Sequence, residues 1–364
     1  MRAALDVTAL LRGRSSSITR YAAGLAAELP ALLGAGEQLI LAWKLSRFRE
    51  RGALAGVGAS GVSTRPYVRS LATWMVPCDV FHITRRGGPE RHAGAILTMV
   101  HSLDALFGDF TATTEQNARN VAEGLQRFDG LILHTQAARK RMLERLDFPE
   151  SRAYVAAAGF DPGDFKSEPE AVDAAVRRRH GLERPYVLCV GTIERRKNQA
   201  LLCEAFARTP AARDLELVFA GSDLHYANVA HEAAAHHLPE RSRFLGNVPA
   251  ADLPALYRGA RAFALPSLYE ELGLVFHEAL ACGTPSLLPD LDTTREIFEG
   301  CAVFAEPSSI EALSAALETL LADETARVDL RRAGLERVRD YTWSRVAART
   351  LDIYRDLASK GPRR

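Results

Sequence analysis

Two glutamates eight residues apart, Glu270 and Glu278, stand in the segment Pro266-Ser-Leu-Tyr-Glu-Glu-Leu-Gly-Leu-Val-Phe-His-Glu-Ala-Leu-Ala-Cys-Gly-Thr-Pro285, directly after a strand-like run. A carboxylate accepts two hydrogen bonds in fixed geometry, which suits the hydroxyls of a sugar or a ribose. A helix opening near Gly273 would bring Glu270 from the loop and Glu278 from inside the helix to one ligand. The free N–H groups of Gly273, Leu274 and Val275, at the positive end of the helix dipole, would then face an anion such as a diphosphate. The plainer account of such a pair is an N-terminal charge preference followed by a solvated helix face.

A second element, Val190-Gly-Thr-Ile-Glu-Arg-Arg-Lys-Asn-Gln199, follows the strand-like Tyr186–Val190 and precedes a helix-like stretch to Ala207. A strand, a glycine turn at Gly191 and Thr192, and then clustered positive charge meet the needs of a pyrophosphate, since a leaving diphosphate gains negative charge as a glycosidic bond breaks. Each cationic donor removed there would cost ~3 kcal/mol of transition-state stabilisation, by analogy with oxyanion-hole deletions. Only five of the 46 basic residues are lysines, which makes Lys197 in this cluster informative. Ala220-Gly-Ser222 and Phe244-Leu-Gly-Asn-Val248 supply further turns between the two elements.

Ser267, Glu270, Gly273, Leu274, Glu278, Ala279, Ala281, Gly283, Thr284 and Pro285 all stand where they do in the E-x7-E motif of retaining glycosyltransferases, and the segment resembles above all glycosyltransferase family 4, the glycosyl transferases group 1. The second element resembles that family's G-T-x-x-x-R-K-N segment, which implies that Arg196 and Lys197 contact the donor's phosphates. The residues after Gly246 resemble a stretch that packs on the nucleobase through backbone atoms, so Asn247 and Val248 are implied there, with Gly221 in the same series. Met99-Val-His-Ser-Leu-Asp104 implies a histidine near the transferred sugar, His101, with Ser102 in place of the usual acid. The likeness spans nearly the whole chain, strongly from 186 to 288 and loosely elsewhere.

Taken residue by residue, the resemblance implies a catalytic set of His101, Glu270, Arg196 and Lys197. It also implies a donor set of Gly191, Thr192, Arg196, Lys197, Gly221, Asn247, Val248, Glu270, Gly273, Leu274, Val275 and Glu278. The donor would be a nucleoside-diphosphate sugar of the GDP-mannose or UDP-glucose type, the acceptor a glycan or lipid-linked molecule, and the transfer one that retains anomeric configuration. Neither a metal nor any other cofactor is expected. Three departures are visible: Glu271-Leu272 replaces the usual Gly or Pro followed by Phe, Thr192 stands where some relatives carry an Arg, and Ser17-Ile-Thr-Arg-Tyr21 replaces both glycines of a Gly-Ile-Gly-Arg-Tyr run. At Ser17 and Thr19 a Cβ hinders close backbone approach wherever positive φ is needed.

The elements that must hold these residues follow from hydrophobic patterning. Short apolar β-rich runs alternate with longer amphipathic stretches, the pattern of parallel sheets covered by helices. Strands are expected at Ala3–Val7, Gln38–Ala42, Val80–Ile83, Ile96–Val100, Leu131–His134 and Ala153–Ala156, and again at Tyr186–Val190, Leu215–Ala220, Ala262–Leu265, Ser286–Leu288 and Val303–Ala305. At 364 residues the chain exceeds the usual size of one core. The expected fold is α/β, with two Rossmann-like β/α/β domains facing each other across a cleft, the GT-B architecture that the resemblance implies. Residues 1–163 form the acceptor side, completed by a helix over 344–360; 164–184, rich in turn formers and charge, form a linker; residues 185–343 form the donor-binding domain.

Bulk properties exclude several classes. A formal net charge of +1 gives no field to recruit nucleic acid. Five scattered cysteines without a C-x-x-C pair suggest neither a disulfide framework nor a zinc site and fit a reducing cytoplasm. The absence of a long uncharged apolar run argues against a spanning segment. Trp43-Lys-Leu-Ser-Arg-Phe-Arg-Glu-Arg51, with Arg65, Arg69 and Trp74 downstream, mixes basic and aromatic residues, so peripheral contact with the inner membrane surface stands beside an ordinary solvated helix edge. Two rival functions remain open: a non-catalytic nucleotide-sugar-binding subunit, and a sugar-nucleotide epimerase, against which the E-x7-E segment speaks. Oligomeric state is not readable.

Overall fold

The computed structural model describes residues 1–12, 17–54, 62–84, 88–89, 91–100, 115–157, 159–160, 163–224 and 227–363, and in it the apolar runs form two wholly parallel sheets. The first sheet contains β1 (Arg2–Asp6), β2 (Gln38–Lys44), β3 (Val62–Tyr67), β4 (Val80–Ile83), β5 (Ala95–Met99), β6 (Gly130–Leu133) and β7 (Ala153–Val155), in the order β3-β2-β1-β4-β5-β6-β7. The second contains β8 (Tyr186–Val190), β9 (Glu216–Ala220), β10 (Ser242–Phe244), β11 (Ala262–Ala264), β12 (Ser286–Pro289) and β13 (Val303–Ala305), in the order β10-β9-β8-β11-β12-β13. Each is doubly wound, with its strand order reversing beside β1 or β8, so each unit is Rossmann-like. Central strands such as Tyr186–Val190 are buried along their whole length because helices cover both faces. The edge strands β3 and β10 lie outside the expected set.

The chain divides into two compact units. One joins Met1–Phe107, Thr113–Phe160 and Tyr341–Arg364; Asp161–Asp340 belong to the other. In the first, the final helix Trp343–Lys360 returns to pack on the helix Ser17–Leu32. Its Trp343 ring lies over Gly24, where a Cβ would come within 2.1 Å of it. The Tyr354 hydroxyl meets buried His82 Nδ1 at 2.7 Å on β4. Phe160 N–H donates to the Tyr341 carbonyl at 3.0 Å, and Phe160 pairs with Thr342 as a parallel bridge. Trp43 is 6% exposed and belongs to the core rather than to a surface.

Residues 164–184, expected as a linker, lie within the second unit and carry a helix, Asp173–Arg179, fastened there by ion pairs. Arg258 donates to both oxygens of Asp173 at 2.6 and 2.8 Å, and His180 reaches Asp252 at 2.8 Å. The Arg258 guanidinium holds the Asp173 carboxyl below the usual aspartate range. These bonds brace the helix Leu253–Gly259, which carries Tyr257 beside Glu278. Among the described residues no helix is long and apolar enough to cross a membrane.

Candidate functional site

At the carboxyl ends of β8, β9 and β10 three turns are stitched to one another. Gly191 N–H donates to the Ala220 carbonyl at 2.9 Å, and Gly221 N–H donates to the Gly246 carbonyl at 2.8 Å. Gly221 is required by this approach, since a Cβ there would lie 1.9 Å from the Gly191 carbonyl oxygen. Thr192 follows, its carbonyl accepting from Gln199 Nε2 at 2.9 Å. The chain then makes a tight turn over Arg195–Lys197 and passes through Asn198 in the left-handed region, at φ 57°, before the helix Gln199–Ala207. Asn198 holds that conformation by donating its side-chain amide to the Pro307 carbonyl at 2.6 Å.

This basic turn is joined to the loop after β11 from both sides. Leu268 N–H donates to the Arg196 carbonyl at 2.8 Å, and Arg196 Nη1 donates to the Tyr269 carbonyl at 3.0 Å. Between those bonds the Lys197 ammonium donates to Glu270 Oε2 at 2.5 Å, with Arg196 Nη1 3.6 Å from the same oxygen. Lys197 is itself buried at 8% exposure. Burial opposes the ionised form of Glu270, but Lys197 and then Arg196 outweigh it and hold the carboxyl below the usual glutamate range. Thr293, far along the sequence, donates to the Glu270 carbonyl at 2.6 Å and fixes the loop from its other side. Glu271 turns inward, where the Tyr269 hydroxyl donates to it.

Gly273 caps the next helix, Leu274–Ala281, with φ 67° and ψ 63°. A Cβ there would be 2.2 Å from the Phe276 ring, so only glycine serves both the backbone and the packing. Among the described residues no acceptor meets the N–H of Leu274 or Val275, as expected for the first turn of a helix. His277 is fully buried, with Nδ1 3.2 Å from the Gly273 carbonyl. Burial drives its pKa down to about 4, so it is neutral near pH 7. Glu278, 2% exposed, accepts from the Tyr257 hydroxyl at 3.2 Å.

Gly191, Arg196, Lys197, Gly221 and Glu270 are therefore brought together directly, with Thr192 in the same turn and Gly273, Leu274 and Val275 opening the helix that follows Glu270. Glu278 enters from inside that helix. Asn247 and Val248 come just after Gly246; Asn247 is exposed and Val248 half-buried, and among the described residues neither bonds to the Lys197–Glu270 pair. His101, with Ser102 and Asp104, lies outside the described residues. Tyr257 lies in the Leu256-Tyr257 pair that follows the family's order, without a role read for it, and Thr293 carries no motif; these two position the acids.

Residues 174–337 match the family described as Glycosyl transferases group 1. The chain is 25% identical over 242 residues to an O-antigen chain mannosyltransferase B of Escherichia coli, covering 66% of this chain and 64% of that protein. It is 31% identical over 295 residues to a D-inositol 3-phosphate glycosyltransferase of Salinispora tropica, covering 76% of this chain and 61% of that one. The chain thus spans less than two thirds of the length of either relative. Among solved structures it is similar in fold to a sucrose-phosphate synthase from Thermosynechococcus elongatus, with TM-score 0.73, 19% identity and 99% of each chain covered.

Proposed function

Through residues 174–337 the chain belongs to the glycosyl transferases group 1 family, and from that premise we propose that it moves a hexose from a nucleoside-diphosphate sugar to a hydroxyl acceptor with retention of anomeric configuration. The observation that carries this reading is the 2.5 Å contact of Lys197 with Glu270, which unites the basic turn and the paired-acid segment in one site. A donor enters between them. Its diphosphate takes Arg196, Lys197 and the N–H groups of Leu274 and Val275, and Glu270, released from Lys197, accepts from the sugar hydroxyls. Glu278 accepts from the ribose, held by Tyr257. The turns at Gly191, Gly221, Asn247 and Val248 pass along the nucleoside.

As the glycosidic bond breaks, its electron pair goes to the diphosphate oxygen, where two cations and the helix start already wait. The acceptor hydroxyl attacks from the face the diphosphate leaves and passes its proton to that leaving group, so configuration is retained without a protein nucleophile. His101 adds a polar contact to the transferred sugar. The charge stabilisation is supplied by side chains and backbone, and the transfer is metal-independent.

The donor is of the GDP-mannose or UDP-glucose type and the acceptor a glycan or lipid-linked molecule. Support for work at the inner membrane face, from the cytoplasm, comes from exposed apolar side chains in the first unit: Phe48 and Leu71 at 51% and Trp74 at 85% exposure, with Arg51 stacked over Phe48. The test of the central reading is transfer from a panel of radiolabelled sugar nucleotides into an extracted acceptor pool, with and without EDTA. Wild type is expected to label one acceptor class from one donor, and Lys197→Ala and Glu270→Gln to lose that labelling. Undiminished labelling in both variants removes the site.

A further inference from the structure

Arg196 and Lys197, the adjacent cations of the turn after β8, are each paired with an acid, and the two acids differ in where they come from. Lys197 donates to Glu270 at 2.5 Å, an acid of the loop after β11. Arg196 Nη2 donates to Glu194 Oε1 at 2.8 Å, while its Nη1 donates to the Tyr269 carbonyl at 3.0 Å. Glu194 belongs to the basic turn itself, two residues before Arg196.

The backbone at Glu194 is held from two sides. Its carbonyl accepts from the Lys197 N–H at 3.0 Å, which closes the tight turn, and its N–H donates to Gln199 Oε1 at 3.4 Å. Gln199, 1% exposed, also donates Nε2 to the Thr192 carbonyl at 2.9 Å, so one buried side chain spans the backbone from Thr192 to Glu194. With the backbone fixed, only rotation of the Glu194 side chain separates it from Arg196. A carboxylate tethered in this way competes for its cation at the high effective concentration of an intramolecular partner.

The two acids also differ in what displacement would leave them. On the reading above, Glu270 exchanges Lys197 for sugar hydroxyls. Glu194 has no such exchange: among the described residues no donor other than Arg196 meets its carboxylate, which is 26% exposed, so a displaced Glu194 faces water. Carboxylate and phosphate accept from a guanidinium in the same fork geometry, so each excludes the other from the Nη2 edge. A diphosphate that has lost its sugar carries more charge, two cations and a helix start hold it more firmly, and slow product departure limits many enzymes.

We propose that Glu194 is an internal competitor of the diphosphate for Arg196, a positioning residue that orients the guanidinium and weakens its hold on the nucleoside diphosphate left after transfer. That the anion is a donor's diphosphate rests on the transferase reading above; the competition for Arg196 does not.

The test measures UDP, GDP and inorganic pyrophosphate by titration calorimetry on the full chain as wild type, Glu194→Gln, Glu194→Asp, Arg196→Ala and Glu194→Gln/Arg196→Ala, each checked for an unchanged circular dichroism spectrum. Glu194→Gln removes the charge, and Glu194→Asp keeps the charge but withdraws it from Arg196 by one methylene. Both are expected to tighten the best-bound of the three anions about fivefold, the worth of a partly exposed ion pair. In the Arg196→Ala background the Glu194→Gln change should alter affinity less than twofold. A residue that merely shapes the turn would weaken binding when replaced. An acid acting through its field alone would leave Glu194→Asp like wild type and keep its effect without Arg196.

Either of those results overturns the proposal, as does failure of all three anions to bind wild type. Should Arg196→Ala abolish binding outright, the Glu194→Asp result decides. Pyrophosphate binding that both Glu194 variants tighten, with no UDP or GDP binding by any protein, removes the donor reading and leaves the competition standing. UDP or GDP binding that neither variant tightens removes the competition and leaves the donor reading.

Discussion

Lys197 reaches Glu270 at 2.5 Å, so a cation from the turn after β8 neutralises an acid from the loop after β11 before any ligand arrives. Both groups are largely shielded from solvent, and each would be costly to leave alone. Under the proposed function, donor binding exchanges this contact for two others, phosphate with lysine and sugar hydroxyl with glutamate.

Removing one partner should hurt more than removing both. Lys197→Met is expected to lower unfolding free energy by about 2 kcal/mol, because Arg196 compensates only in part, and Lys197→Met/Glu270→Gln should recover at least half of that loss. Urea denaturation of the four proteins in the cycle measures it. Equal stability of Lys197→Met and wild type would show that the pair contributes nothing to the fold.

The two turn glycines should differ in their tolerance of a methyl group. Gly246 has φ 64° with nothing within 4 Å of a Cβ, so Gly246→Ala should cost only about 1–2 kcal/mol of backbone strain. Gly221→Ala drives a Cβ into the Gly191 carbonyl and must push the turns apart. Nucleoside diphosphate affinity, read by calorimetry, should drop at least tenfold in Gly221→Ala and by far less in Gly246→Ala; the opposite ranking would place the nucleotide elsewhere.

His277 makes a prediction about acid. Its folded pKa, about 4, lies below the unfolded value of 6.5, so the unfolded chain binds the extra proton and stability falls as pH drops through that interval. The slope from this one group reaches about 1.4 kcal/mol per pH unit between those values. His277→Asn should flatten the stability profile there while leaving the profile above pH 7 parallel to wild type. Chemical denaturation at half-unit steps from pH 4.5 to 8 is the measurement, and an unchanged slope would mean that His277 is protonated in the folded protein.

Tyr257 acts through Glu278. Removal of its hydroxyl in Tyr257→Phe forfeits one hydrogen bond, and nucleoside diphosphate affinity should fall by about 1 kcal/mol, or roughly fivefold. A free sugar phosphate lacking ribose should compete equally well against both proteins. Competition that weakens in parallel would assign Glu278 to something other than ribose.

The paired acids and the basic turn were legible in the sequence because each lies in a contiguous stretch whose residue types answer one chemical need. The contacts of Thr293 and Tyr257 with the acids were not, since a threonine 23 residues beyond Glu270 and a tyrosine 21 residues before Glu278 meet them only after folding. Central strands could be read as apolar runs, but β3, Val-Ser-Thr-Arg-Pro-Tyr, is a half-exposed edge with a proline, and β10 is three residues with an exposed arginine. Edges need not look hydrophobic. The Arg-rich stretch before Pro185 reads as helix-like and forms the helix Asp173–Arg179, but the ion pairs that fasten it could not be read. Similarly, Trp43 cannot be told from an exposed aromatic until β2 places it in the core.

The bond between Phe160 and Tyr341 clasps two points of the chain that are 181 residues apart, within the unit that owns both chain termini. The other unit is thus a cassette spliced into its host through adjoining entry and exit points. Excision between Phe160 and Tyr341 with a short glycine bridge should leave a foldable host, whereas a stop codon at Tyr341 should strip the cover from Gly24 and the helix that bears it. Grafting a different cassette between those two residues would then exchange the second sheet while the first stays as it is.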